Sequence, residues 1–137
     1  MGEVVVKVKL TNYADELRAR DGHLPKEQIR FLEAEAIVDT GAVQCVLPAA
    51  IVKQLGLDRL STQVAQYADG RQEEVDVTDV VTFEILGRKV KEEALVLGDE
   101  ILIGQTVLEK TDLHVDCRGQ RLIPNPDHPN QSVMKIR

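Results

Sequence analysis

Aromatic residues are scarce in this chain of 137 residues: there is no tryptophan, and Tyr13, Phe31, Tyr67 and Phe83 are the whole complement. Any core must therefore be aliphatic. Cysteine is equally sparse. Cys45 and Cys117 are far apart, with no Cys-x-x-Cys and no histidine at metal-ligand spacing, which predicts reduced packing thiols and neither a disulfide nor a zinc site. His23, His114 and His128 each stand alone and read as surface or loop residues. Basic excess is also missing. Seventeen Lys and Arg against twenty-three Asp and Glu leave a formal charge of −6 without a cationic cluster, which argues against nucleic acid as a main partner. No apolar run approaches the roughly 20 residues needed to span a bilayer, so no membrane partner is expected. The opening "MGEVVVKVKL" lacks the apolar core and cleavage pattern of a secretory signal, and a cytoplasmic protein is the expectation.

What is present is a soluble globular composition, 43% hydrophobic and 29% charged. The length suits one domain with a working core and is too short for two well-packed lobes. A site that needs two symmetric halves would have to take one of them from another chain.

Alternation marks the strands. In "EVVVKVKL", Val4, Val6, Val8 and Leu10 share one face, the pattern of a half-buried strand. Residues 11–28 are polar and read as a turn-rich connection in which Asp21-Gly22 would suit a hairpin. "IRFLEAEAIV" is a strand that runs straight into Asp39. "LPAAIVKQLGL" has Pro where a first helical turn tolerates it and Gly where helices commonly end, so it predicts a short helix. "TQVAQYADGRQEEVDV" predicts a β-hairpin turning at Asp69-Gly70. "DVVTFEI" and "VKEEALVL" are further strands about Gly87-Arg88, and the acidic runs "QEEVD" and "KEE" read as solvated strand faces. "ILIGQTVLEKTDLHVD" is an apolar strand, a short helical turn after Gly104, and another strand. "CRGQ" turns the chain into "RLIPNP". The whole predicts an all-β fold, a closed β-barrel with two short helices, over residues 1–124, with 125–137 as a poorly ordered tail or arm. A faint internal echo runs through it. "AIVDTGAVQCVLPAAIVKQL" and "ILIGQTVLEKTDL" each pass from an apolar strand, through a glycine, into a short helix.

One segment carries chemistry. In "EAEAIVDTGAVQCVLPAAIVKQLGL", Glu33 to Leu57, a run of small and branched apolar residues delivers an acid into Thr40-Gly41 and then returns to apolar sequence. A surface turn would account for Asp-Thr-Gly alone, but not readily for apolar residues on both sides. "AIVDTGA", the "LP" helix, the "ADG" hairpin and "ILIG" before a second helix resemble, in that order, the retropepsin-like aspartic proteases, the single-domain group that includes the retroviral enzymes. The resemblance extends over roughly residues 29–116.

The resemblance implies an aspartic endopeptidase that needs no metal or organic cofactor. Hydrolysis of a peptide by water calls for a base to take a proton from the water and an acid to serve the carbonyl. Two close carboxylates sharing one proton supply both. This chain has a single Asp-Thr-Gly, so the resemblance implies a homodimer with one catalytic Asp39 from each subunit and an extended protein or peptide substrate. By the same resemblance, Thr40 bonds across the dimer axis, Gly41 allows close approach of backbone amides to the carboxylate, and Ala42 borders the substrate. Tyr67, Ala68, Asp69 and Gly70 form a flap over it, and Ile103 and Gly104 support the catalytic loop from behind. Retroviral enzymes commonly have a paired acid and Arg where this chain has Val43 and Gln105, so that polar support is missing. The alternative reading is a non-catalytic dimeric module of the same fold that binds extended peptides or serves assembly.

Overall fold

The first strand, β1 (Val4–Asn12), buries Val6, Val8 and Leu10 and leaves Val5 exposed, as the alternation requires. It pairs antiparallel with β2 (Phe31–Val38), which sets Val8 opposite Ala34 and Leu10 opposite Leu32. The computed structural model describes residues 3–136.

Between these strands the turn-rich reading gives way to a helix, α1 (Tyr13–Arg20). Asn12 caps it by accepting the Asp15 amide at 3.0 Å, while its own side-chain amide donates to the carbonyl of Leu55 at 2.9 Å. Asp15 is the one residue of α1 that is buried, and its carboxylate accepts both the Arg30 guanidinium, at 2.8 and 2.9 Å, and the Arg30 amide, at 3.0 Å. Asp21-Gly22 closes the helix instead of turning a hairpin. The Gly22 amide bonds Ala19, the His23 amide bonds Arg18, and Gly22 takes φ +80, a left-handed value that suits glycine.

The remaining strands follow the expected order. The segment after Asp39 forms the short β3 (Val46–Leu47) and then α2 (Ala49–Gln54). The hairpin is β4 (Arg59–Gln66) and β5 (Gln72–Thr78), followed by β6 (Val81–Ile85), β7 (Arg88–Glu92), β8 (Leu95–Val96) and β9 (Leu102–Ile103). A third helix, α3 (Gln105–Thr111), leads to a separate hairpin of β10 (Leu113–Asp116) and β11 (Arg121–Pro124). There are thus three α-helices among the described residues, one more than the sequence reading expects.

Nine strands form one sheet in the order β4-β5-β8-β3-β9-β2-β1-β6-β7. Among the described residues no ladder joins its edges, β4 and β7, so the sheet is an open half-barrel rather than the closed barrel expected. The physical reason lies in β4, which is exposed at every position except the half-buried Ala65 and has no face to press against a closing strand. The core inside the sheet is aliphatic apart from Phe83 and Cys45, and includes Val8, Leu10, Leu47, Leu55, Ile85 and Ile103. Among the described residues no helix is long and apolar enough to cross a membrane.

Residues after β11 dock on the end of α3. Asp112 accepts from the side-chain amide of Asn125 at 3.0 Å and the amide of Val133 at 3.1 Å, and lies 2.6 Å from Nδ1 of His128. His128, read from the sequence as a surface or loop residue, lies in the segment after β11 and is partnered by Asp112. Cys117 is exposed in the β10–β11 turn and does no packing; Cys45 is buried.

Candidate active site

The internal echo in the sequence becomes a spatial pair. Strands β2 and β9 lie parallel, with Val38 opposite Ile103, and each ends at the same level: β2 runs into Asp39 and β9 into Gly104. Parallel pairing sends both loops off the same edge. The Asp39 amide donates to the Ile103 carbonyl at 2.9 Å, which anchors the acid to β9.

Asp39 is half-buried, and Thr40 and Gly41 are exposed. The Gly41 amide donates to Oδ1 of Asp39 at 3.0 Å, and the Ala42 amide bonds the Asp39 carbonyl at 3.1 Å, so two backbone donors hold the turn. An amide aimed at a carboxylate oxygen fixes its orientation. The loop then passes in front of α3. Ala42 and Val43 offer their carbonyls to the first two amides of that helix, Gln105 at 2.8 Å and Thr106 at 3.1 Å. Helix amides that no side chain caps are thereby satisfied by the Asp39 loop itself.

Behind the loop the contact is close enough to need glycine. A Cβ on Gly104 would lie 2.5 Å from the carbonyl oxygen of Gln44 and 2.8 Å from that of Val43. The Gly104 amide donates to Sγ of Cys45 at 3.3 Å. Burial pushes the Cys45 thiol up to about 12, so it is a neutral packing group.

Val43 and Gln105 do not pair through side chains. Val43 is 69% exposed, and the Gln105 amide reaches Glu109 at 3.4 Å. A different polar group stands close by. Thr106 Oγ1 lies 2.7 Å from Oε1 of Glu92 and 3.1 Å from the Val43 carbonyl, and Lys110 Nζ lies 2.8 Å from Oε2 of Glu92. Gln44 lines the same recess. Sequence reasoning missed Glu92 and Thr106. The "KEE" run read as a solvated face, yet the Glu92 side chain is only 11% exposed. The available signal was spacing: Thr106 and Lys110 are four apart on a helix and so share a side.

Tyr67, Ala68, Asp69 and Gly70 occupy the tip of the β4–β5 hairpin, which is closed by the Tyr67 amide on Arg71 and the Gly70 amide on Tyr67. The Tyr67 hydroxyl donates to Glu73, which raises its pKa, and the Arg71 guanidinium stacks 4.6 Å from the Tyr67 ring. Asp69 accepts the Arg71 amide at 2.9 Å. The structure thus brings Asp39, Thr40, Gly41 and Ala42 together with Ile103 and Gly104, whereas these bonds of the tip stay within the hairpin.

Residues 28–110, more than half of the chain, match the family described as "gag-polyprotein putative aspartyl protease". The match runs from just before β2, through Asp39 and the β4–β5 hairpin, to α3. No curated protein matches the chain. By the extent of the family match, the chain belongs to this family of retroviral-type aspartyl proteases.

Proposed function

We propose that the chain is an aspartic endopeptidase acting as a homodimer, with its site assembled from one Asp39 of each subunit. The observation that carries this reading is the setting of Asp39. A half-buried carboxylate sits where β2 leaves the sheet beside β9, its Oδ1 takes the Gly41 amide, and its backbone is tied to Ile103. Such a group is held in position and still open on one side.

The chemistry follows from pairing two such loops. Two carboxylates brought within a few Å cannot both ionise easily, so they share a proton. The ionised member takes a proton from a water held between them as its oxygen adds to the peptide carbonyl carbon, and the protonated member donates to the carbonyl oxygen. Collapse of the tetrahedral adduct breaks the C–N bond as the leaving nitrogen takes up a proton. In this reading Thr40, exposed beside Asp39, meets its counterpart across the axis, and Ala42 borders the substrate. The β4–β5 hairpin serves as the flap, excluding water and lying along an extended peptide.

The test is cleavage of an unfolded protein by the purified chain, compared with Asp39→Asn. The amide keeps the shape of the carboxylate but cannot exchange its proton. Turnover is expected to vanish while the circular dichroism spectrum and melting midpoint stay near wild type. Cleavage retained by the pure variant would overturn the assignment, and a folded wild-type dimer that cleaves nothing would leave the binding-module reading in its place.

A further inference from the structure

We propose that Glu92 is a positioning residue for the Asp39 loop, acting through Thr106 and Lys110 of α3; the inference rests on the catalytic reading of Asp39 above. Glu92 ends β7, an edge of the sheet, and its side chain is 11% exposed. Each carboxylate oxygen has its own partner on α3: Oε1 faces Thr106 Oγ1 at 2.7 Å, and Oε2 faces Lys110 Nζ at 2.8 Å. Thr106 and Lys110, one helical turn apart, present one side of α3 to it. Two charge-assisted contacts from a single carboxylate fix both the height and the rotation of that short helix against β7.

The position of α3 reaches the catalytic loop directly, because the amides of Gln105 and Thr106 are what hold the carbonyls of Ala42 and Val43. The side chains of this part of the loop supply no substitute: Val43 is exposed and Ala42 has no polar atom. Thr106 is the joint. Its hydroxyl has one proton and two oxygen neighbours, Glu92 Oε1 and the Val43 carbonyl at 3.1 Å, while its amide already serves that carbonyl. The carboxylate therefore sets the Thr106 rotamer, and the backbone amide keeps the loop. The opposite side of the joint is closed by Gly104, whose missing Cβ lets Gln44 lie against it. If Glu92 is lost, α3 keeps its buried Val107 and Leu108 but loses the polar brace on Thr106 and Lys110, so its first turn loosens and Asp39 shifts relative to its counterpart in the partner subunit.

The experiment pairs a readout of position with a readout of chemistry. Amide hydrogen exchange at Gln105 and Thr106 is measured by NMR in wild type, Glu92→Ala, Glu92→Gln, Thr106→Val and Thr106→Ser, with Lys89→Ala as a surface control on the same strand. Exchange at both amides is expected to accelerate by about tenfold in Glu92→Ala and Thr106→Val, and to stay near wild type in Thr106→Ser and the control. With a cleavable peptide, kcat should fall by about tenfold to a hundredfold with KM little changed in the first two variants, and recover in Thr106→Ser. Glu92→Gln, which keeps an acceptor for Thr106 but loses the charge facing Lys110, should fall between and remains informative if Glu92→Ala does not fold. A folded Glu92 variant with wild-type exchange at both amides overturns the proposal whatever the activity. If the wild type cleaves nothing but the exchange pattern is as expected, the positioning stands and the endopeptidase reading fails.

Discussion

The carbonyl oxygen of Gln44 lies 2.5 Å from where a Cβ on Gly104 would sit, so the loop after Asp39 and the N-terminus of α3 touch backbone to backbone. Neither partner is a flexible side chain that could yield. Gly104→Ala is therefore expected to push the loop off β9 at a cost of about 1–3 kcal/mol, the range for forced overpacking. Calorimetry should show a lower melting midpoint, and turnover should fall further than the stability loss alone explains. An alanine variant with unchanged midpoint would mean that the contact relaxes.

Asp15 and Arg30 make a second testable contact. The Asp15 side chain is 3% exposed and takes three donors from Arg30, two from the guanidinium and one from the backbone. Asp15→Ala keeps the backbone amide that Asn12 caps but leaves the Arg30 amide and guanidinium without their acceptor, and should cost roughly 2–3 kcal/mol. Urea unfolding should report the loss as a lower midpoint with unchanged slope.

The same residue shows where sequence pattern stops being informative. Strands β1 and β2 were legible because alternation encodes a face, and α2 because Pro48 and Gly56 bracket it. Helix α1 was not, since it buries only Asp15 and so offers no apolar stripe to find. Its signals were the Asn12 cap, acids in the first turn and Arg18 and Arg20 in the last, and the Asp21-Gly22 end fits a hairpin as well as a helix. Glu92 escaped for a related reason. Its burial depends on α3 crossing beside β7, a contact between segments distant in the chain. Asp39, by contrast, stood out because its flanks are apolar over two strands that both enter the sheet.

Acid should weaken the protein through particular carboxylates. The side-chain amide of Asn125, with the Val133 amide and His128, holds Asp112 down to about 2, and the Arg30 guanidinium lowers Asp15. A carboxyl whose folded pKa is depressed stabilises the fold above its unfolded value, about 3.9, and loses that contribution as pH falls through the folded value. The melting midpoint should therefore hold above about pH 5 and decline between about pH 4 and 2. The gap between wild type and Asp112→Asn should be wide at pH 6 and narrow at pH 2. A gap independent of pH would show that the Asp112 charge is not what holds the tail.

The β6–β7 turn contains a correctable strain. Leu86 takes φ +51 before Gly87 at φ +78, two successive left-handed values, and Leu86 is 51% exposed. Such a turn favours Asn followed by Gly, and a branched apolar side chain there is held against its preference. Leu86→Asn is expected to stabilise by about 0.5–1 kcal/mol and raise the melting midpoint by a few degrees without altering turnover. A lower midpoint would indicate that Leu86 packs on something in solution.

The proposed shared site makes a prediction that depends on stoichiometry alone. One chain contains one Asp-Thr-Gly, so a dyad needs Asp39 from two chains. Wild-type and Asp39→Asn chains that are mixed, dissociated mildly and allowed to reassemble at random give heterodimers with one carboxylate and one amide. These cannot share a proton between two carboxylates and should be inactive. At fixed total protein, peptide cleavage should then fall as the square of the wild-type fraction, with exchange verified by tagged chains. A site complete within each subunit would give a straight line instead, because every wild-type chain would remain active whatever its partner. A linear series with verified exchange would therefore leave Asp39 as a residue of a single-chain site and remove the shared dyad.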